Sequence, residues 1–137
     1  MPASRRSDCP ISFALDLFGD RWTLLVIRDL MFKGKVRYSD FLASEEGMAT
    51  NILADRLRRL EAHGIVTRTK AARNAGGVTY ALTEKGLGLA PMLVEMIVWS
   101  SKHDEASAAE PEFVAAVARD RDAVVASVVA AHPSTAP

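Results

Sequence analysis

The feature that most constrains the fold is residues 49–64, a segment with the sequence ATNILADRLRRLEAHG. At about 100° per residue, Leu53, Leu57 and Leu60 fall on one stripe of a helix, while polar and charged residues fall on the opposite face. The pattern predicts a short helix over residues 50–62 that packs one face on a core. Its other face is then available to a partner.

The exposed face of this helix carries residue types that contact DNA. Asn51 can form two hydrogen bonds with adenine, and Ile52, which we expect to be exposed, can contact a thymine methyl group. Arg58 and Arg59 suit phosphates, and we expect Asp55 to orient one of them. The alternative is an ordinary amphipathic helix with a solvated charged face, which the segment alone does not exclude.

The residues before this helix predict a helix-turn-helix arrangement. A short helix is expected over residues 38–42, with Ser39 as its cap, and a polar turn over residues 44–47. Thr50 is expected to cap the following helix. A second amphipathic helix after a short turn is the element that such proteins present to the major groove, so Tyr38, Ser39 and Thr50 join the candidate DNA contacts.

A β-hairpin is predicted after Gly64, a glycine that we expect to end the helix in the left-handed conformation. Residues 65–69 and 78–82 are rich in β-branched and aromatic side chains, and glycines lie between them. Such a hairpin forms a wing whose basic residues can contact phosphates or the minor groove: Arg68, Lys70 and Arg73. A surface hairpin with incidental charge is the alternative.

Two helices are predicted before the helix-turn-helix. The first begins with Pro10 in its first turn and stops at Gly19. Asp20 is expected to cap the second, over residues 21–32, which is apolar on most sides and therefore central to the core.

The C-terminal half predicts a broad apolar helical surface. Thr83 begins a helix in which Pro91 marks a kink or a boundary, and a last helix is expected over residues 110–131. The surface is too wide for one small core, so we expect a homodimer, although a methionine-rich stripe is more often part of a core than a binding site. The candidate interface residues are Ile11, Leu15, Leu93, Met96 and Trp99.

Length and composition fit one globular domain with flexible ends. The chain has 137 residues, 49% of them hydrophobic and 25% charged. We expect a flexible arm at residues 1–8, the winged domain with its dimerisation helix at 9–104, an additional helix at 105–132 and a disordered tail at 133–137. No apolar run resembles a signal peptide or a membrane span, so a cytoplasmic protein without membrane association is expected.

The charge distribution supports a nucleic-acid partner better than the net charge does. The formal net charge is zero, which by itself argues against DNA binding. Residues 33–73, however, contain nine Lys/Arg and five Asp/Glu. Two functions therefore stay open: a DNA-binding regulator, and a winged-helix module that binds proteins and never contacts DNA.

Reactive groups are few. Cys9 lies just before the first helix, where the helix dipole favours a thiolate, and it is either a redox sensor or an inert thiol. His63, His103 and His132 lack metal-ligand spacing, so we expect no metal and no other cofactor. No catalytic set stands out, and we expect no enzyme.

Several motifs in order resemble the HxlR-type family of bacterial transcriptional regulators, over roughly residues 9–103. Each motif alone is weak, but their order is specific. They are CP at 9–10, GDRWTLL at 19–25, IRDL at 27–30, YSDF at 38–41, NILADRL at 51–57, LE at 60–61, GIV at 64–66 and YALTEKG at 80–86.

The resemblance implies a mainly α fold with a small β-hairpin: a winged helix-turn-helix with additional N- and C-terminal dimerisation helices. It implies a homodimer that places two recognition helices in adjacent major grooves of double-stranded DNA. Some relatives use a cysteine at the position of Cys9 to sense oxidants, so a small-molecule or electrophile effector is a further expectation. The chain departs from many relatives at residues 71–77, which are small and glycine-rich where those relatives have prolines and a bulky residue.

Overall fold

The computed structural model describes residues 6–70 and 77–133, which form eight helices and one two-stranded sheet. The predicted mainly α fold with a small hairpin is confirmed. Parts of the expected N-terminal arm, hairpin tip and C-terminal tail lie outside the described residues. In chain order the elements are α1 (Pro10–Phe18), α2 (Arg21–Phe32), α3 (Tyr38–Leu42), α4 (Thr50–Ala62), β1 (Val66–Lys70), β2 (Val78–Leu82), α5 (Glu84–Leu87), α6 (Ala90–His103), α7 (Pro111–Arg119) and α8 (Arg121–Ala130).

Short-range hydrogen bonds explain where several helices begin and end. The Asp20 carboxylate accepts the backbone N–H groups of Trp22 and Thr23 at 3.0 and 3.2 Å, so it satisfies two donors at the start of α2. Gly64 follows α4 with a φ of 71°, a conformation that costs glycine little. Both predicted helix boundaries are confirmed.

Two predicted caps are wrong. Ala49 precedes α4 in an extended conformation, so Thr50 is the first helical residue rather than the cap. Arg37 precedes α3, so Ser39 lies inside its first turn. The Asp40 carboxylate accepts the backbone N–H of Arg37 at 3.1 Å and fixes that boundary instead. A side chain inside the first turn points away from the free backbone donors, which is why neither hydroxyl caps its helix.

Helix α2 lies at the centre of the core, as predicted. Val26 and Ile27 have no exposed surface, and they pack in one cluster with the apolar stripe of α4. The three leucines of that stripe are at most 1% exposed: Leu53, Leu57 and Leu60. The hydrophobic pattern therefore determined which face of α4 is buried.

The two strands form the predicted antiparallel hairpin. Val66 pairs with Leu82, and Lys70 pairs with Val78. The first strand therefore begins and ends one residue later than predicted. A bridge between Arg37 and Thr79 joins the hairpin to the start of α3. The wing is therefore attached to the helix-turn-helix by backbone pairing.

The C-terminal part differs from the prediction. Pro91 lies in the first turn of α6 and marks a boundary, so α5 and α6 are separate helices. The single helix expected over residues 110–131 is two helices, because Asp120 ends α7 and accepts the N–H of Ala123 to begin α8. Side chains of α8 pack on the same core cluster as α2 and α4: Val125, Val128 and Val129.

Candidate nucleic-acid interface

The outer face of α4 is exposed beside the hairpin. Asn51 and Arg58 are exposed, as a contact with DNA requires. The prediction that Ile52 is exposed is wrong. Its side chain is half-buried and packs against the core. Its apolar side chain gains more from leaving water than from remaining on the surface. Only the exposed part of the Ile52 side chain is therefore available for the predicted contact with a thymine methyl group.

Helix α3 is joined to the first turn of α4. The Tyr38 hydroxyl donates to the carbonyl oxygen of Thr50 at 2.8 Å, and both residues keep exposed surface. Ser39 is exposed on the same short helix. Tyr38 therefore has a positioning role that the sequence did not indicate, because its partner lies 12 residues away.

Two predicted basic contacts come together between α4 and the hairpin. Arg58 and Arg68 both line a shallow cavity of about 390 Å³, together with Tyr38, Glu61 and others. Lys70 is exposed at the end of β1. The predicted contact at Arg73 lies outside the described residues. The structure thus places Arg58 of the helix beside Arg68 of the wing.

Two other charged side chains of α4 have partners that differ from the predictions. Arg59 is half-buried, and its Nη2 donates to the carbonyl oxygen of Asp16 at 3.3 Å, so its guanidinium lies against α1. This contact competes with the predicted contact of Arg59 to a phosphate, which stays a prediction. Asp55 pairs with the adjacent Arg56 rather than with Arg58 or Arg59.

Sequence reasoning missed the ion pair between Asp20 and Arg56, at 2.7 Å from Nε to Oδ2. Burial by itself would raise the pKa of Asp20. Hydrogen bonds from Thr23, Arg56 and the Trp22 N–H outweigh it and lower the pKa from 3.8 to about 2. The Asp20 carboxylate in turn raises the pKa of Arg56. The carboxylate is therefore ionised at any physiological pH.

The apolar surface expected for dimerisation is present except at one position. Ile11, Leu15, Met96 and Trp99 are 71, 58, 47 and 65% exposed. Leu93 is only 6% exposed and packs in the core of its own chain, so its assignment to an interface is corrected. Leu93 therefore packs within its own chain, whereas Met96 and Trp99 stay exposed.

Cys9 and the histidines lie in separate parts of the structure that is described. Cys9 is exposed and precedes α1, with its backbone N–H donating to the Ser7 hydroxyl at 3.3 Å. His132 bonds to the Met31 carbonyl oxygen at 2.8 Å. Among residues 6–70 and 77–133, no three His, Cys, Asp or Glu side chains are placed to hold a metal ion. In the same ranges, every helix is too short or too polar to cross a membrane.

The order α2, α3, turn, α4 and hairpin defines a winged helix-turn-helix protein. Residues 17–108 match the HxlR-like helix-turn-helix family. The chain belongs to that family, whose members are DNA-binding transcriptional regulators. The resemblance identified from the sequence motifs is confirmed, and the matched residues include the whole of α4.

Named relatives agree with this assignment. An HTH-type transcriptional regulator of Synechocystis sp., sll1512, is 40% identical over 88 residues, which are 64% of this chain and 64% of the relative's length. YodB of Bacillus subtilis is 35% identical over 98 residues, covering 71% of this chain and 87% of YodB.

Solved structures share the fold. Reduced YodB has a TM-score of 0.60 at 33% identity, covering 72% of this chain and 97% of YodB. The redox regulator HypR in its oxidised form has a TM-score of 0.63 at 34% identity, covering 69% of this chain and 97% of HypR.

Proposed function

We propose that the chain is a homodimeric, sequence-specific regulator that inserts α4 into the major groove. The observation that supports this most directly is the outer face of α4, where Asn51 is exposed and Arg58 lies beside Arg68 of the wing. Asn51 is assigned to base contact, and the arginines to phosphates. The relatives' names favour this function over a module that binds only proteins. We infer no enzymatic activity.

The test is to select an operator with the purified protein and to compare variants on it. Asn51→Ala should relax discrimination at one base pair, by about 1–3 kcal/mol. Arg58→Ala should weaken operator and random DNA alike and reduce the salt slope by about one. Arg119→Ala, which removes the same charge from α7, is the control. Unchanged binding in both α4 variants would refute the role of this helix.

The small surface that one α4 offers to DNA favours a two-fold dimer. One α4 offers few base contacts, whereas two, placed about 34 Å apart, can occupy successive major grooves on one side of the duplex. The proposed interface contains Ile11 and Leu15 of α1 with Met96 and Trp99 of α6. Trp99→Ser should dissociate the dimer in sedimentation, whereas Val36→Ser, at another exposed apolar residue, should not. A wild-type monomer at micromolar concentration would contradict this arrangement.

We also propose that Cys9 makes DNA binding sensitive to electrophiles or oxidants. Cys9 is exposed and directly precedes α1, which belongs to the proposed interface. Structures of quinone-bound and diamide-treated YodB exist, so such compounds act on a relative. An adduct at Cys9 would alter the spacing of the two α4 helices if it favours one dimer geometry.

Diamide or a quinone should therefore change operator affinity in the wild-type protein and leave Cys9→Ser unaffected. An equal response in both proteins would identify Cys9 as an inert thiol.

A further inference from the structure

An ion pair connects the start of α2 to the middle of α4. The Arg56 Nε lies 2.7 Å from Asp20 Oδ2, although the two residues are 36 positions apart in the chain. Their side chains are 17% and 26% exposed, so water has limited access to the contact. A charge-assisted hydrogen bond of this length is directional as well as strong.

Both partners of this pair are held by further contacts. The Asp20 carboxylate also accepts from the N–H groups of Trp22 and Thr23 and from the Thr23 hydroxyl. Arg56 contacts the Asp55 carboxylate with its Nη1. Because two carboxylates occupy the guanidinium, Arg56 is poorly placed to bind a phosphate. Its role is therefore different from that of Arg58.

A second ionic link joins α2 to the turn that precedes α4. The Arg28 guanidinium pairs with buried Asp29 at 2.8 Å and reaches Glu46 at 3.5 Å. Helix α2 thus holds α4 through Arg56 and holds its leading turn through Glu46. Two separate attachment points restrict rotation of a helix in a way that one point cannot.

The apolar contacts between α2 and α4 belong to one core cluster, and the close packing of their side chains also limits how the two helices can move. The ion pair adds a directional contact to this burial, which is itself non-directional. Base contacts need side chains placed within about 0.5 Å and 10–20° of their working geometry. Attraction to phosphates is far less sensitive to small displacements, since it depends mainly on charge.

We infer that Asp20 and Arg56 form a positioning pair that fixes the orientation of α4 on α2 and so sets the discrimination between operator and other DNA. This inference rests on the proposed function of α4. Neither residue contacts DNA in this scheme. The pair acts through Asn51 and its neighbours, which it holds at a fixed angle.

The experiment compares binding to a selected operator with binding to random duplex of equal length, across a range of salt concentrations. Arg56→Gln should lower operator affinity roughly tenfold, within the range of couplings between contacting residues, and leave random-duplex affinity and its salt slope unchanged. Asp20→Asn should do the same, because asparagine keeps the α2 cap but loses the charge. The double variant should be no worse than either single variant.

Controls separate this role from the alternatives. Arg121→Gln breaks an exposed ion pair with Glu95 on other helices and should change neither affinity. Circular dichroism and melting temperature establish that each variant is folded. Arg56→Lys keeps the charge but loses the planar fork, and it should show intermediate discrimination if Arg56→Gln does not fold.

Three results would overturn the inference. An equal loss on operator and random DNA, with the salt slope reduced by about one, would make Arg56 a phosphate ligand. A folded variant with a lower melting temperature and unchanged discrimination would make the pair merely stabilising. A wild-type protein that shows no operator preference would refute the proposed function and this inference with it.

Discussion

Val117 joins the C-terminal helices to the rest of the chain. It lies in α7, is 3% exposed and packs with Val94 and Val98 of α6. Val117→Ala removes two buried methyl groups, each worth about 0.8 kcal/mol, and leaves a small cavity. We expect the free energy of unfolding to fall by about 1.5–3 kcal/mol.

The measurement is urea unfolding followed by circular dichroism at one fixed protein concentration, since the proposed dimerisation would make stability depend on concentration. The slope with urea should not change, because the same surface is exposed on unfolding. The melting temperature should fall by about 5–10 °C for a chain of this length. Val36→Ala, the same substitution at a residue 41% exposed, should change stability by less than about 0.5 kcal/mol.

If Val117→Ala is as mild as Val36→Ala, α7 is not docked on α6 in solution, which would contradict this prediction. A separate early unfolding transition in the wild-type protein would also contradict it. That result would mean that the C-terminal helices fold independently of α2 and α4.

Other substitutions test single contacts. Asp20→Asn should lower the free energy of unfolding by about 1–2 kcal/mol at pH 6, after allowance for solvent screening. Because the pKa of Asp20 is lowered in the folded state, this difference from wild type should shrink as the pH falls from about 4 towards 2, which urea unfolding at several pH values measures. Gly86→Ala should destabilise by about 2–4 kcal/mol, because its Cβ would lie 2.3 Å from the carbonyl oxygen of Ile65; an unchanged melting temperature would disprove this clash. Arg59→Ala should leave the salt slope of DNA binding unchanged, in contrast to Arg58→Ala, since Arg59 lies against α1.

Much of the fold could be predicted from the sequence because its signals are local. The leucine stripe of α4, the Asp20 cap and the left-handed Gly64 each depend on residues within about two helical turns. The HxlR-type motifs gave the family and the helix expected to contact DNA. Where the prediction failed locally, the cap lies one residue before Thr50 and two residues before Ser39.

The tertiary structure decided which charged side chains remain available. Asp55, Arg56, Arg58 and Arg59 are neighbours in the sequence, but their partners come from three different places. Arg56 is bound to a carboxylate on α2 and Arg59 lies against α1, whereas Arg58 stays exposed beside the wing. A long flexible side chain takes the best partner within reach, and that partner is determined by the packing of distant elements.

The packing of distant elements also decides which apolar residues are buried and which remain exposed. Periodicity showed that α6 has a broad hydrophobic surface but could not divide it between the core and a partner. Leu93 is buried within the chain, whereas Met96 and Trp99 remain exposed. That division depends on how α2, α7 and α8 pack around α6, and such packing between distant elements is not encoded in any local pattern.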